Sequence, residues 1–325
     1  MPSAAEDKQN IFLYICTNTL KMKIQIGIIF FSAFLFICSC KKKTSIDSAP
    51  KLTFKLKLDP TQTRLDNLGN PAAMVAGHAG QSPVYNAFSI HYIELAPTAF
   101  TALGTGQVLY RADETAAGGS NAIDFEKATL AKDGEVLYSM PLTSVQPGTY
   151  EWLRVSAAYQ NYNITLSMDT TISGFTFTDL PCTIASFVGF KNYIKNFIVK
   201  TQNVTVNANK LQGYWASETQ VTVPGVFDQA YINEGQAPAG ATTVVNPLFA
   251  SSPIPAGSCV VTAAFDAAPL VISGNETKDI VVTVSFSTKQ SFEWVDLNAD
   301  GRWQGTKGEN VVDMGLRGMI PFVQY

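Results

Sequence analysis

The chain has 325 residues, of which 15% are charged and 46% are hydrophobic, and its formal net charge at pH 7 is −3. A slightly acidic chain of this kind is not expected to bind nucleic acid, because that partner requires a basic face. The length is sufficient for one large domain or two modest domains.

An N-terminal apolar stretch, which begins at Ile24 and ends at Cys40, follows Lys21 and Lys23. A short basic region, about a dozen apolar residues and a small-residue end are typical of a secretory signal peptide. The alternative is a transmembrane anchor, which requires roughly 18 apolar residues. The lysines at 41–43 would then act as a stop-transfer signal.

Residues 37–40 have the sequence Ile-Cys-Ser-Cys, which resembles the lipobox of bacterial lipoproteins. The resemblance implies cleavage before Cys40, lipid on its thiol, and attachment to the outer membrane on its periplasmic or surface face. It divides the N-terminus into a signal peptide at 22–39 and a lipidated tether at 40–50. Residues 1–21 place a second apolar patch ahead of the signal, so we expect translation to start at Met22 and residues 1–21 to be an upstream extension.

Alternation of apolar and polar residues dominates the rest of the chain and predicts β-strands. The alternation is clearest at 52–58, 162–168 and 280–286. Turn sequences such as Asp133-Gly134 separate the candidate strands, and no segment of about 12 residues has a helical period. The sequence therefore predicts an all-β protein, a β-sandwich of immunoglobulin or transthyretin type.

Two stretches, 69–83 and 235–257, are rich in proline, glycine and alanine and nearly free of charge. The second stretch could separate a sandwich domain at 51–220 from a smaller C-terminal β unit at 221–325. It could equally be a long loop within a single fold, and the sequence leaves both arrangements open.

Only two cysteines, Cys182 and Cys259, follow the lipobox, and export would place them in an oxidising compartment. A disulfide between them would close a loop of about 77 residues and stabilise the fold by roughly 4–5 kcal/mol. The alternative is two buried free thiols. The sequence does not decide between them, because it does not show whether the two residues meet in space.

Residues 296–303 have the sequence Asp-Leu-Asn-Ala-Asp-Gly-Arg-Trp. Oxygen-bearing side chains at alternate positions can surround a hard cation, and the glycine permits the sharp turn that this requires. The pattern resembles the first half of an EF-hand calcium loop. The resemblance implies side-chain ligands from Asp296, Asn298 and Asp300 and a backbone carbonyl ligand from Arg302.

The loop departs from the EF-hand pattern at its twelfth position, which is Lys307 instead of glutamate, and strand-like residues 292–295 precede it. Glu309 or Asp313 is therefore the candidate that completes the shell, in a calcium loop framed by β-strands. Calcium bound here would be structural and weakly held, as at many extracellular sites. The alternative is a polar Asx-rich turn that binds nothing.

His78, His91 and the nearby Met74 could form a copper site in an exported protein. A second resemblance depends on three segments: 52–58, 92–95 (Tyr-Ile-Glu-Leu) and 145–150 (Val-Gln-Pro-Gly-Thr-Tyr). In these segments the chain distantly resembles the copper-binding periplasmic proteins associated with methanobactin operons, although their tryptophan-rich segment is missing. The resemblance implies a copper-binding function as an alternative to the calcium site.

Catalytic motifs of hydrolases and phosphate-binding loops are not found, and the adjacent Asp113 and Glu114 would point to opposite faces of a strand. Because these features give little support for catalysis, a surface glycan-acting hydrolase is only the third hypothesis.

Trp294 and Trp303 flank the acidic loop and are expected to be the most exposed tryptophans. The leading hypothesis is a non-catalytic, lipid-anchored binding or accessory module of the cell envelope, with an unidentified protein or glycan ligand.

Overall fold

The computed structural model describes residues 49–172, 174–237 and 260–325. These residues form β-strands and no α-helix, so the all-β prediction is confirmed. Within the described ranges, no helix has the length and apolar character needed to span a membrane. The predicted signal peptide, Cys40, the predicted tether up to residue 48 and Cys259 lie outside the described residues.

Twenty strands and three single-turn 3-10 segments make up the described fold. The 3-10 segments are Phe125–Lys127, Leu142–Ser144 and Gly305–Lys307. The strands are β1 (Lys51–Asp59), β2 (His78–Gln81), β3 (Val84–Ala96), β4 (Gln107–Arg111), β5 (Glu114–Thr115), β6 (Ala122–Asp124), β7 (Val136–Pro141), β8 (Gly148–Tyr150), β9 (Trp152–Ile172), β10 (Phe175–Phe187), β11 (Lys191–Ile198), β12 (Asn203–Leu211), β13 (Tyr214–Val223), β14 (Phe227–Gln236), β15 (Val260–Ala264), β16 (Leu270–Ile272), β17 (Ile280–Ser287), β18 (Phe292–Val295), β19 (Val311–Met314) and β20 (Met319–Gln324).

The main core lies between two sheets that pack as a sandwich. One sheet has the order β20-β17-β1-β7, and the other has the order β14-β13-β10-β9-β3-β4 with β15 added to β9. In β1 the apolar residues are buried and the lysines are exposed, because only one face meets the core. Phe286 of β17 contacts Phe88 of β3 with ring centroids 5.4 Å apart, so aromatic packing joins the two sheets.

β9 and β10 form a long hairpin that extends beyond the sandwich and supports two smaller sheets. The first contains β11 and β12, whose Phe197 packs against Phe187 with ring centroids 5.1 Å apart. The second has the order β19-β18-β2, and its Phe292 and Trp294 form a buried cluster with Tyr162 of β9. The second of these sheets positions the candidate site.

Strands from both parts of the chain share the main sandwich. β17 pairs in parallel with β1, with Leu52 opposite Ile280, and residues 49–325 form one compact unit. The boundary expected near residue 220 falls inside β13, which continues into β14 through ten paired positions. The described residues after 260 therefore contribute strands to the same core as β1.

The sandwich has two ends, which we call proximal and distal. At the proximal end, Pro50 precedes β1 and its carbonyl accepts a hydrogen bond of 2.8 Å from the Leu142 amide. β3 finishes beside the start of β9 at this end, with Ala96 opposite Trp152, and the loop 97–106 follows. At the distal end, β17 leads through residues 288–291 into β18 and the acidic loop.

Candidate metal site

The acidic loop, residues 296–310, is closed at its base by the hairpin of β18 and β19. Trp294 is opposite Val311, and the Val295 amide donates to the Asn310 carbonyl at 3.0 Å. Within the loop, Ala299 and Gly301 have φ angles of 54° and 71°, so the chain turns sharply where the sequence places a glycine.

Hydrogen bonds to both aspartates of the loop fix this turn. The Asp296 carboxylate accepts from the amides of Asp300 at 3.2 Å and Gly301 at 2.9 Å. The Asp300 carboxylate in turn accepts from the Arg302 amide at 2.9 Å. Asx turns of this kind wrap the backbone around the carboxylates, as the sequence pattern requires.

Three carboxylates converge in the loop. One oxygen from each of Asp296, Asp300 and Glu309 lies within 4.8 Å of the other two. Asp300 is exposed, Asp296 is half-buried and Glu309 is buried. The structure therefore brings together two of the predicted side-chain ligands with one of the two residues proposed to complete the shell. Such a set of hard oxygen donors is suited to calcium.

These three carboxylates form no ion pair with any residue that the structure describes. The cations of the same loop point elsewhere: Arg302 contacts Asp169 at 3.2 Å and Asp179 at 3.0 Å, and Lys307 contacts Asp169 at 3.5 Å. Three negative charges thus lie close together with polar N–H partners but without a countercharge from the described chain. Mutual repulsion is the expected consequence unless a cation binds.

Gln304 organises the centre of the loop, and the sequence analysis did not identify it. Its side-chain oxygen accepts a hydrogen bond from the side-chain amide of Asn298 at 3.1 Å, and its side-chain nitrogen donates to the Asp300 carboxylate at 2.8 Å. Its backbone amide donates to Glu309 at 2.6 Å. Asn298, a predicted ligand, is therefore linked to Asp300 through Gln304. Gln304 is the ninth position of the EF-hand pattern, which often binds calcium through a water molecule, so the spacing could have identified it.

The loop is docked on the β9–β10 hairpin. The Ser167 amide donates to the Trp303 carbonyl at 2.8 Å, and the Trp303 ring contacts Phe292 with centroids 4.9 Å apart. Hydrogen bonds from Ser167 and then Arg302 hold the pKa of the Asp179 carboxyl below its usual value. The expectation of two exposed tryptophans was wrong for Trp294, which is 0% exposed because β18 packs it against the hairpin.

Asp313, the other residue proposed to complete the shell, lies in a different cluster. It follows the loop on β19, opposite Glu293 of β18, and its carboxylate is 2.7 Å from Arg317. Glu293 also contacts Arg64, Arg317 and His78, so this group is a buried ionic cluster. Burial raises the pKa of Asp313 to about 7, in opposition to the nearby Arg317.

The copper candidates have different surroundings. His78 on β2 has its Nδ1 2.6 Å from Glu293, whereas His91 on β3 has its Nε2 3.8 Å from Glu114. Met74 lies against Gly80, on the same strand as His78. Neither histidine belongs to the one group of three or more ligand residues found among the described residues. Burial lowers the pKa of His91.

Cys182 is buried, and burial raises the pKa of its thiol to about 11. Cys259 lies outside the described residues, so the pairing of the two cysteines stays a prediction. The adjacent carboxylates also have separate partners: Glu114 contacts Arg111 at 2.9 Å, and Asp113 contacts Lys127 at 3.5 Å.

Comparisons of the chain with protein-family models, with curated proteins and with solved structures gave no match.

Proposed function

We propose that this protein is a lipid-anchored, non-catalytic component of the bacterial cell envelope whose β-sandwich contains a structural calcium site. Its role is that of a binding or accessory module for a protein or glycan ligand. The observation on which the calcium site rests is the convergence of Asp296, Asp300 and Glu309 within 4.8 Å without a countercharge from the described residues.

The charge balance supports calcium over a simple turn. Asx turns alone would account for the hydrogen bonds to Asp296 and Asp300, but they do not require a third carboxylate. Glu309 is 3% exposed and comes from the far side of the loop. Burial of a carboxylate beside two others is unfavourable, and a bound divalent cation removes that penalty.

Calcium is expected to stabilise the structure by linking the two ends of the acidic loop. The ion would join the start of the loop to its end at Glu309, immediately before β19. The same loop is docked on the β9–β10 hairpin through Arg302 and Trp303. Calcium binding would therefore stabilise the contact between the β18–β19 hairpin and the long hairpin. A weak site, with a dissociation constant of about 10⁻⁴–10⁻³ M, is sufficient at extracellular calcium concentrations.

The lipid anchor is supported by the sequence around Cys40. Lipid on this cysteine would hold the folded body through a tether that ends at Pro50. Two or more acyl chains give stable attachment, because each buried methylene contributes about 0.8 kcal/mol. The anchor and the calcium site are separate parts of the proposal, and each has its own experiment.

The metal part is tested on the purified full chain. After chelation, calcium should raise the melting temperature, and copper should not produce an equal rise. The Asp300→Asn variant should lose the calcium response, whereas Asp266→Asn, which alters an exposed acidic residue at the proximal end, should retain it. Copper binding that disappears in His78→Ala or His91→Ala would favour the copper alternative and overturn the choice of calcium.

The anchor is tested by metabolic labelling with radioactive palmitate in a bacterial host. The full chain should incorporate label and remain with the membrane fraction, and Cys40→Ser should abolish incorporation. Equal labelling of the two proteins would contradict the assignment of Cys40. A screen of glycosides with the same preparation tests the hydrolase alternative, because turnover of any of them would contradict a non-catalytic role.

A further inference from the structure

A fully buried ion pair lies against the proximal loop, residues 97–106, and hydrogen-bonds to its backbone. Glu94 on β3 and Arg154 on β9 are both 0% exposed, and Nη1 of the arginine is 3.4 Å from the glutamate carboxylate. Burial of two charges is costly, so such a pair is retained only where several hydrogen bonds satisfy it. Here those hydrogen bonds come mainly from the loop.

The loop backbone hydrogen-bonds to both charged groups, and Nε of Arg154 is left without a partner among the described residues. Glu94 accepts from the amides of Gly106 at 2.7 Å and Gly104 at 3.2 Å. Arg154 donates to the carbonyls of the residues at the centre of the loop, which are Ala99 at 3.1 Å, Thr101, and Ala102 at 3.5 Å. Five backbone groups therefore face one buried ion pair. These hydrogen bonds favour one conformation of the loop.

The close approach of the loop backbone to Glu94 requires a glycine at position 106. A Cβ atom at this position would lie 2.4 Å from the Leu95 carbonyl oxygen and 2.7 Å from Oε1 of Glu94, which is closer than real atoms approach. The glycine thus allows the backbone to reach the carboxylate.

The rigid loop presents an apolar tip. Phe100 is 57% exposed and Leu103 is 37% exposed. Residues 96–107 have the sequence Ala-Pro-Thr-Ala-Phe-Thr-Ala-Leu-Gly-Thr-Gly-Gln, without a charged residue. An exposed pair of large apolar side chains on a pre-ordered backbone loses little conformational entropy on binding. This combination is characteristic of a docking element.

The tip is located at the end of the sandwich where the described chain begins. The Pro50 carbonyl accepts from the Leu142 amide, which starts the 3-10 segment Leu142–Ser144. The Ser144 carbonyl accepts from the side chain of Gln107 at 3.5 Å, and Gln107 directly follows the loop. Pro50 is only ten positions after Cys40, so the tether spans at most about 35 Å.

We propose that Phe100 and Leu103 insert into the lipid bilayer that holds the Cys40 anchor. This inference rests on the proposed lipid anchoring. The short tether keeps the proximal end close to a membrane, and an uncharged apolar tip is suited to the boundary between headgroups and acyl chains. Side chains there lie roughly 5–10 Å below the surface. A second contact of this kind would orient the sandwich with its acidic loop away from the bilayer.

The test uses tryptophan fluorescence of the full chain, purified with its lipid and reconstituted into phosphatidylcholine and phosphatidylglycerol vesicles. The variant Phe100→Trp adds a fluorophore at the tip, and brominated phosphatidylcholine quenches tryptophans that enter the acyl region. We expect about a twofold loss of the added fluorescence in brominated vesicles, because the ring should lie within the interface. Leu103→Trp is the second variant and should behave in the same way.

Leu297→Trp is the matched control, because Leu297 is 61% exposed but belongs to the acidic loop at the distal end. Its added fluorescence should be the same with and without bromine. If neither position 100 nor position 103 is quenched while the protein floats with the vesicles, the docking inference is overturned and the anchor stands. If the full chain does not float with vesicles, both are overturned. Dimer formation that buries the tip without quenching would identify a second copy as its partner and also overturn the inference.

Discussion

The loops at the two ends of the molecule differ in whether the described chain supplies a countercharge to their carboxylates. The proximal loop is built around Glu94, and the fold supplies Arg154 as its countercharge. The acidic loop at the distal end gathers Asp296, Asp300 and Glu309, whereas its own Arg302 contacts the β9–β10 hairpin. Ser167, which docks the acidic loop, lies 13 residues along β9 from Arg154, or roughly 43 Å at 3.3 Å per residue.

The difference shows what each loop requires from outside. The proximal loop is electrostatically complete, so its exposed groups are free to serve docking. The acidic loop has its hydrogen bonds in place but no countercharge from the described residues, so we expect it to bind a cation from solution.

The largest expected effect is at the proximal loop. Arg154→Met would leave Glu94 buried without its partner, and we expect a loss of about 3–5 kcal/mol in the free energy of unfolding. Denaturant unfolding of the full chain in detergent measures it. The control Arg111→Met removes an exposed pair with Glu114 and should cost less than about 1 kcal/mol. Similar losses in the two variants would show that the buried pair is not the main support of the loop.

The second effect concerns pH and the buried ionic cluster at the distal end. Asp313 has a pKa of about 7 in the folded protein, against 3.8 as its ordinary value, because it is buried. Between these pH values the folded state keeps a proton that the unfolded chain has released. The free energy of unfolding should therefore fall as pH rises from 5 to 7, by at most about 1.4 kcal/mol per pH unit.

The measurement for this prediction is the difference in stability between the wild-type protein and Asp313→Asn across that pH range. The variant cannot titrate at this position, so the stability of the wild-type protein should fall relative to the variant as pH increases. A constant difference would mean that Asp313 is ionised throughout, paired with Arg317.

The third effect is stabilisation by calcium. With a dissociation constant of about 10⁻³ M, calcium at about 10 mM should raise the free energy of unfolding by about 1.4 kcal/mol. In the absence of calcium, Asp296→Asn should be as stable as the wild-type protein or more stable, since it reduces repulsion among the carboxylates. Thermal unfolding with and without a chelator measures both quantities. Loss of stability in Asp296→Asn without calcium, and an unchanged calcium response, would show an ordinary turn.

The smallest effect is at the tip of the proximal loop. Phe100→Ser combined with Leu103→Ser should change the free energy of unfolding by no more than about 0.5 kcal/mol, because exposed side chains away from the core contribute little. Chemical denaturation in detergent provides the value. A loss above about 1.5 kcal/mol would show that the tip contributes to the core instead of being supported by the ion pair beneath it.

Strands with one face exposed to solvent were predictable from the sequence, and strands covered on both faces were harder to predict. β1 and β17 contribute one face to the core, so period-two alternation marks both. The alternation at 162–168 identified only part of β9, which is one strand of 21 residues. Different sheets pack against different parts of β9. The alternation of apolar and polar residues is therefore interrupted along the strand, and a sequence pattern detects only part of it.

The acidic loop was partly predictable because its carboxylates are close in sequence. Spacing identified Asp296 and Asp300 and left Glu309 and Asp313 as alternatives, and only the fold shows that Asp313 lies beside Arg317. The pair of Glu94 and Arg154 had no sequence signal, because 60 residues separate them and nothing local indicates their burial. Long-range pairing of charges is determined by strand order.

The most direct test of the central claim uses terbium, which replaces calcium and luminesces when a nearby tryptophan is excited. Trp303 lies in the loop, and its indole N–H is 3.4 Å from the Glu309 carbonyl. The wild-type protein should show saturable terbium luminescence that calcium displaces, and Asp296→Asn combined with Asp300→Asn should abolish it. Equal luminescence in the double variant, or no luminescence in the wild-type protein, would contradict a cation site in the acidic loop.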